Sequence, residues 1–137
     1  MKRLLSCAAA LAALAACGDT VHGIEYAEPA VEKFRQQMRA GQFDRIYDGT
    51  GAEFREATSR ENGIALFAAV DRKLGKLQRA DKVRWNVNTH NMTTLVVLVY
   101  NCKYAEGDAT ETFTIKVDDG AGVIIGYNIQ SLAMMIK

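Results

Sequence analysis

Histidine and cysteine are scarce in this sequence, which has two histidines and three cysteines in 137 residues. No cluster of cysteine, histidine and acidic residues shows the spacing of metal ligands, so neither a metal site nor any other cofactor is predicted. Cys102 has no histidine near it in the sequence, and a reactive thiol needs an accessible, electropositive setting. Metal chemistry and cysteine catalysis are therefore not expected.

The chain also lacks an excess of charge and has a single proline. Its 17 basic and 16 acidic residues nearly balance, which gives no overall attraction to nucleic acid, and no nucleic-acid partner is predicted. There is no low-complexity tract and no internal repeat. A chain of this length and composition is typical of one compact domain.

Long hydrophobic runs are missing as well. The uncharged run from Leu4 to Ala16 has thirteen residues, whereas a membrane-spanning helix needs about 20. The run follows the basic residues Lys2 and Arg3 and ends in small residues. This combination is typical of an export signal that is removed from the mature protein.

The last residues of this run and the next one, Leu14-Ala15-Ala16-Cys17, resemble the lipobox of bacterial lipoproteins. In that family a diacylglyceryl group is attached to the cysteine sulfur, a peptidase cuts just before the cysteine, and the new amino group is acylated. The resemblance implies that Cys17 is the lipidation site and that membrane lipid is its partner. Two or more acyl chains hold a protein stably at a membrane, whereas one holds it only marginally.

The predicted domain boundaries follow from this resemblance: residues 1–16 are a signal peptide, 17–25 a lipidated tether and 26–137 a single α+β domain. The protein is expected to be lipid-anchored in the cell envelope and to face the periplasm. Gly18, rather than an aspartate, follows the cysteine, which favours the outer membrane by the sorting rule of that family. The alternative is ordinary secretion, with a cut after Ala15 that leaves Cys17 unmodified.

Apolar residues in the first half of the chain recur at helical intervals. A helix is predicted from about Glu28 to Arg39, with Pro29 at its first position. A shorter helix around Phe43–Tyr47 and a helical turn near Phe54 follow. Another helix runs through Ile64–Leu74 and closes at Gly75.

The period then changes to two, which is typical of half-buried strands. Four strands are predicted, around Val83–Val87, Thr93–Tyr104, Thr112–Val117 and Val123–Ile129. The short polar turns between the last three favour antiparallel hairpins. Helices followed by strands predict an α+β fold in which N-terminal helices pack on a four-stranded antiparallel sheet.

Several pieces resemble a family of uncharacterised bacterial envelope lipoproteins, a domain of unknown function in the cystatin-like/nuclear transport factor 2-like superfamily. They are "FDRIYDGTGAEFR", "RKLG", an isolated "W" that opens the strands, "VVLVYNCKYAEGDATETFTIKV" and the closing "GYNI". The resemblance covers roughly residues 25–132 and implies a cone of three helices packed into a strongly curved sheet. The family has no assigned catalytic residues, so it implies none here.

Four aromatic residues share the predicted inward face of the sheet: Trp85, Tyr100, Tyr104 and Tyr127. They are candidates for binding a ligand in a pocket of the cone, because each offers an apolar body and a polar handle. The alternative is that they fill the core. Two conceivable acids accompany them: Asp48, and Glu111, which has inward parity but stands at the predicted start of a strand, where it would face water.

The sequence leaves two functions open. The favoured one is a non-enzymatic binding or accessory module near the membrane. The alternative is a small-molecule enzyme of the ketosteroid-isomerase type, which would need a polar group with a tuned pKa in the cone.

A further candidate surface lies on the predicted outer face of the sheet. Leu95, Val97 and Val99, with Ile124 from the last strand, form an apolar stripe with polar neighbours. Such stripes often mark partner surfaces, so this one could hold an envelope protein or a second copy of the chain. The alternative is that long side chains of neighbouring strands cover it.

Overall fold

The computed structural model describes the backbone of residues 18–137 and the side chains from His22 onward, so Cys17 and the predicted signal peptide lie outside the described residues. The predicted α+β fold is confirmed, with four helices before an antiparallel sheet and a short helix after it. The elements are α1 (Gly18–Arg39), α2 (Phe43–Asp48), α3 (Ala52–Ala57), α4 (Arg60–Leu74), β1 (Leu77–His90), β2 (Thr93–Tyr104), β3 (Gly107–Asp118), β4 (Ala121–Gln130) and α5 (Leu132–Ile136).

Helix α1 begins ten residues earlier than Glu28, so the predicted start of this helix is wrong and Pro29 lies inside it. Packing explains the extension. Gly23 and Ala27 lie one helical turn apart and are buried, and a Cβ on Gly23 would come within 3.0 Å of Val87. Burial of this face offsets the local disruption that an internal proline causes.

Helix α4 begins after Ser59 and ends at Gly75, the end that its sequence predicts. The hydroxyl of Ser59 accepts a hydrogen bond of 3.2 Å from the backbone N–H of Asn62, which satisfies one of the free N–H groups of the first turn. Gly75 ends the helix with a φ of +73°, a conformation that glycine adopts without steric cost. Phe67, Val70 and Leu74 form its buried face.

The four strands form a sheet in the order β1-β2-β3-β4, each antiparallel to its neighbours. The alternation predicted for β2 is confirmed, since its even-numbered residues from Val96 to Tyr104 are buried on the helix side. Among the described residues, strand β1 pairs only with β2 and is one edge of the sheet. Strand β4 is the other edge, and the N–H of Gly51 donates to the carbonyl of Ile124 there.

The parity predicted for the last strand is wrong in its first half because β4 contains a bulge. Thr114 pairs with Gly126 and Ile115 with Ile124, so Ile125 is an extra residue in β4. The extra residue reverses which side chains face the helices. Ile124 is consequently buried in the core and does not belong to the predicted outer stripe.

Helix α1 runs alongside β2 across the inner face of the sheet. Near its beginning, Gly23 lies beside Thr94 and Val96. Near its end, Arg35 contacts Cys102, and the Phe34 ring lies 5.1 Å from that of Phe113. The N-terminus of α1 therefore points toward the β1–β2 turn.

Candidate functional site

The most unusual group in the core is the carboxylate of Glu111, which has no solvent exposure. Strand β3 begins at Gly107, so Glu111 lies inside the strand and not at its beginning. The expectation that it faces water is wrong. Its parity places it among the helix-facing residues, opposite Tyr100 on β2 and Ile129 on β4.

Three side chains donate hydrogen bonds to this carboxylate. The guanidinium Nη1 of Arg35 lies 3.1 Å from Oε1, and the hydroxyl of Tyr104 donates to the same oxygen over 2.5 Å. The hydroxyl of Tyr127 donates to Oε2 over 2.7 Å. A buried charge is tolerated only when it is paired and hydrogen-bonded in this way. We refer to Arg35, Tyr104, Glu111 and Tyr127 as the buried network.

Arg35 reaches the network from α1 and is itself buried. Its guanidinium carbon lies 5.2 Å from the centre of the Tyr100 ring and 5.5 Å from that of Phe113, distances at which a cation is attracted to a ring. Its Nη2 lies 3.8 Å from the sulfur of Cys102. One ion pair and two aromatic rings thus hold the charge in place.

Burial and the charge of Glu111 keep the surrounding acids protonated. Burial, followed by the Glu111 charge, raises the pKa of the Tyr104 and Tyr127 hydroxyls well above the usual range. Burial is also the main cause that raises the pKa of Tyr100 and of Cys102 to about 12 each. For Arg35, burial disfavours the charge, but attraction to Glu111 outweighs it and the pKa is raised. Neutral phenols therefore face a guanidinium held in its charged form.

The space around the network limits its chemistry. A cavity beside Arg35 and Tyr104 has a volume of about 20 Å³, close to the minimum that holds one water molecule. Among the described residues no buried side-chain polar atom lacks a hydrogen-bond partner. The network as it stands has the properties of a structural element, with its donors and acceptors turned toward each other.

The four candidate aromatic residues do not come together in one place. Tyr100, Tyr104 and Tyr127 surround Arg35 and Glu111. Trp85 pairs with Leu98 and so has the predicted parity, but it lies on the edge strand and is 53% exposed.

Asp48, the other conceivable acid, is an exposed partner of Arg60 and lies outside the buried network. Arg35 is the residue of the buried network that the sequence analysis did not identify. Its position, four residues after Val31 on the apolar face of the helix, is the sequence signal that could have identified it.

A scan against protein-family models and a search of curated proteins find no match to this chain. The resemblance to an envelope lipoprotein family therefore stays a prediction. Among residues 18–137, no group of three or more histidine, cysteine or acidic side chains is placed to hold a metal ion. Within the same range, no helix has the length and apolar character that crossing a membrane requires.

An open hollow of about 1090 Å³ lies at the end of the sheet that is far from the β1–β2 turn. We call it the distal hollow. One side carries charged and amide groups of the outer sheet face, and the other carries apolar side chains of α5. Its lining includes Arg79, Asp81, Asn101, Lys103, Asp108, Thr110, Leu132 and Met135, together with the helix-facing strand residues Cys102, Ala109 and Ile129.

The predicted outer stripe is only partly exposed. Leu95 is 37% exposed, Val97 is half-buried and Val99 is buried. Arg84 and Thr112 are the residues paired with Val99 on the two neighbouring strands. Self-association through Leu95, Val97 and Val99 remains a prediction, with its accessible part centred on Leu95.

Proposed function

We propose that this protein is a lipid-anchored protein of the bacterial cell envelope whose folded domain is a non-enzymatic binding or accessory module facing the periplasm. The lipobox-like residues 14–17 support the anchor. The described structure adds that the chain is already helical at Gly18, its first described residue, and that the sheet-packing face of α1 is in place at Gly23. A lipid on Cys17 would therefore hold the domain close to the membrane.

The state of Glu111 is the observation that favours a module over an enzyme. A general base must reach its substrate within hydrogen-bond distance. Both oxygens of Glu111 are taken by donors from the chain itself, and the residue has no solvent exposure. A metabolite could reach this carboxylate only after the core had opened.

The distal hollow is the surface best suited to a partner. It presents bases such as Lys103, acids such as Asp108 and exposed apolar residues such as Met135 within one concave area. Mixed polar and apolar lining suits a polypeptide segment, which brings both kinds of group. We therefore place the binding function of the module at this hollow.

The anchor is tested by feeding cells an alkyne-labelled fatty acid and measuring its incorporation into the full chain. Cys17→Ser should abolish labelling and release the protein from the membrane fraction. Cys7→Ser is the matched control, since it removes a cysteine from the predicted signal peptide, and it should keep the label. An intact mass that shows Cys17 with a bare thiol would overturn the anchor.

The binding surface is tested by photo-crosslinking in cells. A photoreactive residue at Met135, which lines the distal hollow, is compared with one at Glu61, an exposed position at the start of α4. We expect a defined adduct from position 135 only, which is lost when Lys103 and Asp108 are exchanged. Equal adducts from both positions, or none from position 135, would contradict this assignment.

A further inference from the structure

The β1–β2 turn has a backbone conformation that its residues do not favour. Asn91 and Met92 are the two residues between the paired His90 and Thr93, and their φ angles are +48° and +64°. Two-residue turns of this kind favour glycine at the second position, because a side chain there is sterically strained. Met92 occupies this second position, so its backbone is strained where a glycine would not be.

The Met92 side chain gains nothing within the domain in return. It is 97% exposed, so its apolar surface stays in water when the domain stands alone. Backbone strain combined with an apolar side chain that the fold leaves uncovered is a reason to look for a function outside the domain.

The position of Met92 indicates what covers it. Gly23 of α1 lies beside Val96 of β2, and both elements continue in the same direction from that point. Helix α1 extends toward Gly18 for about 7.5 Å at about 1.5 Å per residue. Strand β2 and its turn extend toward Met92 for about 13 Å at about 3.3 Å per residue. Gly18, the residue after Cys17, therefore lies at the same end of the molecule as Met92.

We propose that Met92 inserts into the interfacial region of the bilayer to which the protein is anchored. This inference rests on the proposed lipidation of Cys17. The acyl chains and the turn then form two separate points of attachment, which fix the orientation of the domain. The distal hollow lies at the opposite end of the sheet and consequently faces away from the lipid.

The charges near the turn specify the kind of lipid surface. The neighbouring β3–β4 turn carries Asp118 and Asp119, both exposed, and its Gly120 lies beside Tyr26 of α1. These carboxylates would be repelled by anionic headgroups. The partner is therefore a bilayer surface of zwitterionic lipid, and added anionic lipid should weaken the contact.

The test uses the full lipidated protein in phosphatidylcholine vesicles that carry brominated acyl chains. In a Trp85→Phe background, Met92→Trp is compared with Met135→Trp, a probe exposed at the distal hollow. We expect the brominated lipid to quench the Met92→Trp probe several-fold more than the Met135→Trp probe, and the former emission to shift to the blue. Replacing part of the lipid with phosphatidylglycerol that carries the same brominated chains should reduce this quenching.

The outcomes separate the two proposals. Protein that carries its lipid by mass but shows equal quenching of both probes overturns the insertion of Met92 and leaves the anchor standing. Protein without lipid overturns both. The strain itself is tested with Met92→Gly in the full chain carrying Cys17→Ser. This variant should have a higher melting temperature, because glycine relieves the backbone strain. A lower melting temperature would contradict the strain on which the inference depends.

Discussion

Replacing Glu111 with glutamine tests whether the buried network is a main source of stability. Glutamine has nearly the shape of glutamate but carries no charge, and its single oxygen can replace only one of the two acceptors to which Tyr104 and Tyr127 donate. Arg35, which is buried and whose pKa is raised, would then keep a charge without a partner. Glu111→Gln should therefore destabilise the domain strongly.

The size of the effect follows from the burial of both partners. The side chains of Arg35 and Glu111 are 8% and 0% exposed, and removing one partner of a buried ion pair costs about 3–5 kcal/mol. Unfolding entropy is about 2.1 cal/mol/K per residue, and the structure describes 120 residues, from 18 to 137. The expected fall in melting temperature is therefore about 12–20 °C.

The assay is thermal and guanidinium unfolding of the purified protein, followed by circular dichroism. Glu53→Gln is the matched control, because Glu53 also pairs with a base, Lys116, but at the surface. An exposed ion pair contributes little, so this variant should unfold close to the parent. Equal unfolding midpoints for Glu111→Gln and the parent would refute the role assigned to the buried network.

A double variant separates loss of the ion pair from general damage to the core. Arg35→Met removes the charge that Glu111→Gln leaves without a partner. The double variant should therefore be less destabilised than the sum of the two single variants. Strict additivity would show that Arg35 and Glu111 do not stabilise each other.

Two further predictions concern alkaline pH and the docking of α5. Burial is the main cause that raises the pKa values of Tyr100 and Cys102 from 10.0 and 9.0 to about 12 each. The unfolded state therefore releases these protons first, and stability falls as pH rises above about 9. Guanidinium midpoints measured against pH should show this decline, and Tyr100→Phe should make it shallower. A Cβ on Gly107 would come within 2.5 Å of the Cβ of Ala133 in α5. Gly107→Ala should therefore lower the free energy of unfolding by about 1–3 kcal/mol and reduce amide protection in α5, and adding Ala133→Gly should restore both. Unchanged protection in Gly107→Ala would show that α5 does not pack there.

The order of the helices and strands, and the side of most of them that is buried, were predictable because the spacing of apolar residues in the sequence follows the burial pattern of each element. The alternation of β2 predicted its buried side, and Gly75 predicted the C-terminal end of α4. Both depend on local chemistry, which a single sequence contains.

The errors arise where distant parts of the chain decide the outcome. The extension of α1 through Pro29 depends on contacts of Gly23 with β1 and β2, and the bulge at Ile125 depends on pairing with β3. The ion pair between Arg35 and Glu111 joins residues that are 76 positions apart. Side-chain parity placed Glu111 on the correct face, but its partner lay on an element where an arginine suggests solvent exposure.

The position of β1 at the edge of the sheet has a consequence for the chain in a crowded compartment. A free edge of 14 residues exposes backbone donors and acceptors to which another chain could add as a strand, and this is how many sheets begin to aggregate. The irregularity between Lys82 and Arg84 interrupts that edge and places basic side chains beside it. An incoming strand would have to match an irregular and charged template, which disfavours strand addition at this edge.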